Sequence, residues 1–338
     1  MNTPALRRNS FLPNFFFKIF GARASGIILA TLIVELAFGY MTPMFYDFGF
    51  WTVILSFASR VGIIAAGMTL LMASREFDLS VGSVFALVPV LAFTWARAGL
   101  NEWVACVVAL GIAILCGLLN GFVVTRMGVN SLIATLATMF LYRTFALVAS
   151  WGGAVSPPEN PTFRYIMGAG DVGFKGFSTA VIWWLGVSAV CLIVLSRTSH
   201  GNWTLATGGN EGAARAVGVR ARRVKMINFM AASFLAGLSG ILFAVVRNTI
   251  YAVYGVGMEL EIIGATVIGG TPLIGGAGTV LGTVFGSTLL GMVYLGISST
   301  IPMMTIPSAY LYEGAVGALI MGATILNVKM GSLKRLFR

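Results

Sequence analysis

The sequence predicts an all-α polytopic membrane protein with about ten transmembrane helices, both termini cytoplasmic and some helices broken or re-entrant. Three observations carry this. The chain is 58% hydrophobic and only 10% charged, with a mean hydropathy of +0.91, whereas a soluble domain carries about 25% charged residues. The apolar residues fall in runs, most of them near the ~20 residues that a bilayer-spanning helix needs. The 22 basic residues flank those runs rather than forming one basic face, so the net charge of +11 reads as an orientation signal and not as a nucleic-acid footprint.

Residues 1–25, "MNTPALRRNSFLPNFFFKIFGARAS", are basic and then aromatic. Without an A-x-A cleavage site they read as a cytoplasmic or interfacial lead-in to a retained first span. Ten apolar runs follow, at 26–45, 51–73, 81–98, 103–125, 130–150, 178–196, 226–246, 260–271, 279–298 and 308–328. The eighth is short and Gly-rich. The apolar membrane domain is thus 26–328, and a basic cytoplasmic tail occupies 329–338. Ten crossings put both termini on one side. That side receives sixteen of the basic residues and the other only Arg97, Arg164, Lys175 and Arg247, which places the termini in the cytoplasm. The longest cytoplasmic connection is then Gly201 to Lys225, and the longest outer one Trp151 to Phe177, where "SPPENP" disfavours helix.

Inside the runs, Gly278, Gly282 and Gly286 recur every fourth residue, and Gly117 and Gly121 repeat the spacing once. Such small residues let helix backbones approach closely, within one subunit or across a dimer seam. Four charges fall inside spans, namely Glu35, Arg60, Arg143 and Glu313. Matching depth suggests the pairs Glu35–Arg60 and Arg143–Glu313, with a proton relay as the functional alternative. Cys106, Cys116 and Cys191 lie in apolar runs without CxxC spacing and read as buried, inert thiols. No metal-ligand cluster or nucleophile–His arrangement supports an enzyme, and the single His200 is expected at the interface.

"GGNEGAARAVGVRARRVK", Gly208 to Lys225, is the polar exception in the second half. Asn210 can cap a helix, Glu211 sits in its first turn, Ala213, Ala214 and Ala216 favour it, and Gly218 can stop it. Glu211 and Arg215 are spaced i,i+4. Two turns are too short to stand alone in water, so the helix must dock. One reading is an interfacial loop whose arginines meet anionic lipid.

The segment "ATGGNEGAARAVGVRARRVK" also resembles the coupling loop, here 198–225, of ABC-transporter permeases that import ribose, xylose and related monosaccharides. The resemblance continues in "FDLSVGSVFAL" (Phe77 to Leu87), "GLLNGFVVTRMGVNSLIATLATMFLYR" (Gly117 to Arg143) and "VIGGTPLIGGAGTVLGTVFG" (Val267 to Gly286), in the family's order. It implies an inner-membrane permease of a bacterium, working with ABC ATPase subunits and a periplasmic or extracellular sugar-binding protein. A second permease copy, identical or a paralogue, would complete the pathway, and lipid surrounds it. The implied coupling residues are Asn210, Glu211, Ala213, Ala214, Arg215 and Gly218; Gly212 stands where the family often has a second acid. ATP with Mg is expected on the partner, since this chain has no GxxxxGK[ST] loop. It is therefore expected to bind no cofactor or metal and to be no enzyme. The competing reading is an ion-coupled secondary transporter using Glu35 or Glu313.

A sugar pathway needs hydroxyl partners, and the candidates in or beside apolar runs are Asp78, Ser80, Asn120, Asn130, Thr135, Thr138, Thr266 and Thr271. Asp78 and "TPLIGGAG" either mark breaks within the membrane or simply cap and turn the chain. A faint likeness between "GIIAAGMTLLMASREFDLSVGSV" and "EIIGATVIGGTPLIGGAGTVLGTV" hints at an internal repeat with both turns on one side.

Overall fold

A computed structural model describes residues 27–171, 176–300 and 308–336, with side chains in the last stretch described for 310–325. The lead-in at 1–25 lies outside the described residues, as does Lys175. In chain order the helices are α1 (Ile27–Met41), α2 (Phe48–Ala73), α3 (Val81–Arg97), α4 (Glu102–Arg126), α5 (Ser131–Ser150), α6 (Pro161–Arg164) and α7 (Thr179–Arg197). Then come α8 (Ser199–Gly209), α9 (Glu211–Ala216), α10 (Ala221–Arg247), α11 (Met258–Ile268), α12 (Val280–Thr300) and α13 (Ser308–Leu336). Six of them, α2, α4, α5, α7, α10 and α12, are long and apolar enough to cross a membrane; α1, α3 and part of α13 are shorter apolar helices. The protein is a polytopic, all-helical membrane protein.

Local chemistry sets the helix starts. Asn101, Asn130, Ser178 and Asn210 each accept a bond from backbone N–H groups of the first turn of α4, α5, α7 and α9, satisfying donors that a helix cannot pair internally. Helix does form in the outer connection, contrary to the reading of "SPPENP". α6 starts at Pro161 with Asn160 as its cap, because proline's missing N–H and fixed φ suit a first helical position.

α2 and α10 form the centre. In each, 72% of the apolar window is buried, against 33% in the peripheral α5. Glycines set the closest approaches. A Cβ on Gly117 or Gly121 would meet the α10 backbone at Phe229 or Met226, and one on Gly282 or Gly286 would strike the carbonyls of Gly269 or Ala265 beside α11. These contacts lie within one chain. Gly278 sits against Ala73 and Thr69 of α2.

The bundle has two distinct ends. The first carries α8 and α9, the turn 74–80 between α2 and α3, and the turn 269–279 between α11 and α12. The last two touch: the Gly276 N–H donates to the Ala73 carbonyl at 3.0 Å. The opposite end carries α6 and an isolated antiparallel bridge between Val155 and Ile250. α11, at 11 residues, is only about 16 Å long and too short to cross the bilayer core. α13 continues as helix to Leu336, through most of the stretch read as a separate tail.

Candidate functional site

The polar segment before α10 is more helical than its sequence suggests. α8 occupies the first half of the expected loop, and α10 begins at Ala221, taking Arg222, Arg223 and Lys225 into its first turns. Between them α9 is closed at both ends by local bonds. The Asn210 side chain accepts from Ala213 N at 3.0 Å. At the other end Gly218 takes φ +89°, where a Cβ would be strained. Its N–H donates to Arg215 and that of Val219 to Ala214, both at 3.0 Å, which is the paired-bond stop that a left-handed residue permits.

α9 has two faces. Ala214 is buried against its own chain, while Gly212, Ala213, Ala216 and Val217 are exposed. Val217 is 80% exposed, unusual for a branched apolar side chain. Glu211 bonds Arg215 one turn on and also accepts from Lys225 Nζ at 2.7 Å. Lys225 reaches further, to Glu76 at 2.6 Å in the α2–α3 turn. One ammonium thus joins α9, the foot of α10 and the turn 74–80. Partial burial would push the Glu211 carboxyl up, but the hydrogen bond and charge of Lys225, then Arg215, outweigh it and hold the carboxyl below its ordinary value.

Two residues beyond Glu76, Asp78 anchors a buried polar knot. Its Oδ1 accepts from Ser80 N at 2.8 Å and Ser80 Oγ at 2.6 Å. Asn120 Nδ2 donates to Asp78 Oδ2 at 3.1 Å and Ser80 Oγ at 2.8 Å. Tyr142 OH donates to Asn120 Oδ1 at 3.3 Å, and Thr135 Oγ1 accepts from Leu79 N at 3.0 Å. Asp78, Ser80, Asn120 and Thr135 are fully buried. The knot therefore ties the α2–α3 turn to α4 and α5. Ser80 makes no side-chain cap to α3.

The other pathway candidates are scattered. Asn130 is exposed and accepts from Leu132 N at 2.9 Å as the cap of α5. Thr138 and Thr266 bond to carbonyls of their own helices, and Thr271 Oγ1 accepts from Thr279 N across the α11–α12 turn. His200 is half-buried and shares a 2.8 Å bond with Asn228. Asn228 in turn donates to the Leu70 carbonyl, Ser74 and Thr204, holding α10 to α2 and α8.

The depth-matched ion pairs do not form. Arg60 bonds Glu261 of α11 at 3.0 Å, not Glu35. Arg143 lies 5.9 Å from the Phe140 ring centroid on its own helix, and among the described residues no salt bridge joins it to Glu313. Equal depth fixes one coordinate, while helix neighbours are fixed by packing. Arg60 and Glu261 border a cavity of about 660 Å³ that none of the eight pathway candidates lines. In it the Arg60 guanidinium lies 4.4 Å above the Phe57 ring, Phe57 stacks on Tyr294 at 4.2 Å, and Tyr294 meets Tyr312 edge-on at 5.1 Å. Glu76, Lys225, Asn228 and Glu261 were all missed by the sequence reading. The acids and Lys225 lay beside recognised motifs, but nothing in the chain flagged their partners, 149 and 201 residues away.

Comparison with known proteins agrees with the four motif blocks. The family described as the permease component of branched-chain amino acid transport systems matches residues 50–328. The chain is 33% identical to the xylose/arabinose import permease XylH of Sulfolobus acidocaldarius, over 89% of this chain and 83% of that protein. It is 29% identical to the autoinducer 2 import system permease LsrC of Escherichia coli O157:H7, over 90% and 86%, and 30% identical to LsrC of Salmonella typhi, over 91% and 86%. The ion-coupled alternative gives way to this match. The chain belongs to this family of ABC-transporter permeases: it is the membrane-embedded permease component of a binding-protein-dependent importer, and the ATPase is a separate subunit.

Proposed function

We propose that the chain forms the translocation pathway for a monosaccharide or similar small polyol in a cytoplasmic membrane, with α9 as the coupling helix to the ATPase. The observation that carries the coupling role is the two-faced α9. Its inner face is fixed to the bundle by Ala214 and by Lys225, while a small outer face ending in Val217 is left bare. A short helix cannot hold this shape alone in water, so the bonds to the bundle make it a rigid input for a partner. Asn210, Glu211, Arg215 and Gly218 shape that input; Ala213 lies on the face that meets the ATPase. The polyol class rests on the sugar and autoinducer permeases among the relatives.

The basic residues support the orientation. Arg126, Arg215, Arg220, Arg222 and Arg223 line one pocket at the α9 end, which this reading makes the cytoplasmic end. The run from Asn248 to Gly257 supports a second permease copy. It is not helical, yet Gly255 packs on the Gly82 carbonyl, about 22 Å along α3 from Arg97. Irregular backbone at that depth is tolerated only against protein or water. Val253, Val256 and Leu260 are nonetheless exposed there, so this face suits the twin subunit or the pathway. In this reading Asp78, Ser80, Asn120 and Thr135 brace the pathway from behind rather than lining it.

Co-purification tests the coupling role. Ala213→Trp adds bulk to the bare face without touching Lys225. The variant is expected to remain monodisperse in detergent but to lose the ATPase. Full retention of the ATPase would assign the docking surface elsewhere.

A further inference from the structure

We infer that the cavity around Arg60 and Glu261 is a contact site for the transported solute, and that its chemistry selects a neutral, polyhydroxylated ligand with one apolar face. The inference rests on the importer reading above and adds a location and a selectivity. Arg60 lies twelve residues into α2 and Glu261 in the first turn of the half-length α11, so the pair sits near mid-membrane. Ionisable groups at such depth are costly and are kept mainly where they pair, face water or act on a ligand. This pair does all of the first two: it closes at 3.0 Å and stays partly open, with side chains 16% and 19% exposed.

The pair's geometry favours hydroxyls. One guanidinium nitrogen is committed to Glu261, and a guanidinium carries five N–H donors in a fixed fork while a carboxylate has about four lone-pair sites. Donor and acceptor thus stand side by side, which suits a hydroxyl that both gives and takes a bond. A zwitterion would have to separate these two charges, which already satisfy each other, or reach Asp171, Arg247 and Glu313 elsewhere in the lining. Arg60 rests on Phe57, Phe57 stacks on Tyr294, and Tyr294 meets Tyr312 edge-on, so these rings give the cavity an apolar wall against which the C–H face of a sugar ring can pack. The volume of about 660 Å³ falls within the range of small-molecule sites, roughly 300–1,000 Å³.

The test uses the complete importer in proteoliposomes, with permease, ATPase and binding protein. Ser56 lines the cavity, and the native Cys106, Cys116 and Cys191 are buried, so Ser56→Cys supplies one reactive thiol. Its rate of modification by a water-soluble methanethiosulfonate is measured with and without D-xylose, L-arabinose, D-ribose and L-leucine. A sugar that the importer accumulates is expected to slow labelling several-fold, and L-leucine to leave it unchanged. Adding Tyr294→Leu, which spares the ion pair, is expected to remove the protection. Sugar uptake with no protection, or a thiol that never reacts, would overturn the site while leaving the importer reading intact. Uptake of and protection by L-leucine alone would overturn the polyol class in both.

Discussion

Replacing Lys225 by methionine keeps the apolar stem and removes only the ammonium that binds Glu76 and Glu211. The two acids differ in what they lose. Glu211 is 33% exposed and keeps Arg215, so its share is that of a surface pair, about 0–1 kcal/mol. Glu76 is only 11% exposed at its side chain, and Lys225 12%. Stranding one partner of a buried pair costs roughly 3–5 kcal/mol; the residual exposure here argues for the lower part of that range. About 3 kcal/mol corresponds to roughly a hundredfold shift in the opening of the joint between the turn 74–80 and the foot of α10, on which α9 is seated. Amide hydrogen exchange across 74–80 and 211–219 reads this directly in the purified permease. The same variant, assembled with its ATPase, is expected to hydrolyse ATP with weakened stimulation by loaded binding protein. Glu76→Gln together with Lys225→Met removes the stranded charge and is expected to recover most of the protection. A double-mutant cycle returning less than about 0.5 kcal/mol of coupling would show that the triad is incidental and that packing at Ala214 alone holds α9.

Two further outcomes follow from the same geometry. Because the Glu211 carboxyl is held below its ordinary value, its ionised form stabilises docked α9 fully above the usual carboxylate range, near pH 4.3. That contribution is lost as pH falls through the lowered value; exchange protection should therefore hold from pH 8 to 5 and fade below about 4, and Glu211→Gln should flatten the profile. Loss centred near neutrality would assign the effect to another group. In the core, Gly282→Val drives a branched side chain into the Gly269 carbonyl and is expected to abolish a monodisperse permease, whereas Gly111→Ala, with open space around it, should change thermal stability by less than about 1 kcal/mol. Equal behaviour of the two variants would refute the close α11–α12 approach.

What was legible in the sequence was whatever one stretch of chain decides alone. Apolar run lengths located α2, α3, α5, α7 and α12 to within about three residues, because bilayer thickness fixes them. Asn210 and Gly218 announced the limits of α9 because caps and left-handed stops are local chemistry. The misreadings needed a second segment. Arg60 stood out as a buried charge, but Glu261 was hidden at the edge of a short Gly-rich run, and only packing brings α11 beside α2. Asp78, Ser80 and Asn120 were singled out as polar groups in apolar surroundings without any sign that they bind each other. Lys225 reads in the sequence only as the end of the cytoplasmic connection, because its two acids lie 14 and 149 residues away.

Just before α9, Gly208 lies against the Ala73 carbonyl at the end of α2 and against Gly276 in the α11–α12 turn. Those two turns also bond to each other through Gly276 and Ala73. Three strands of main chain therefore meet with no side chain between them, and such a joint has no rotamers to absorb a displacement. Gly208, near the end of α8, works as a keystone: the last turn before α9 meets the backbone at the end of α2 and in the turn leading into α12 directly, on either side of the half-length α11.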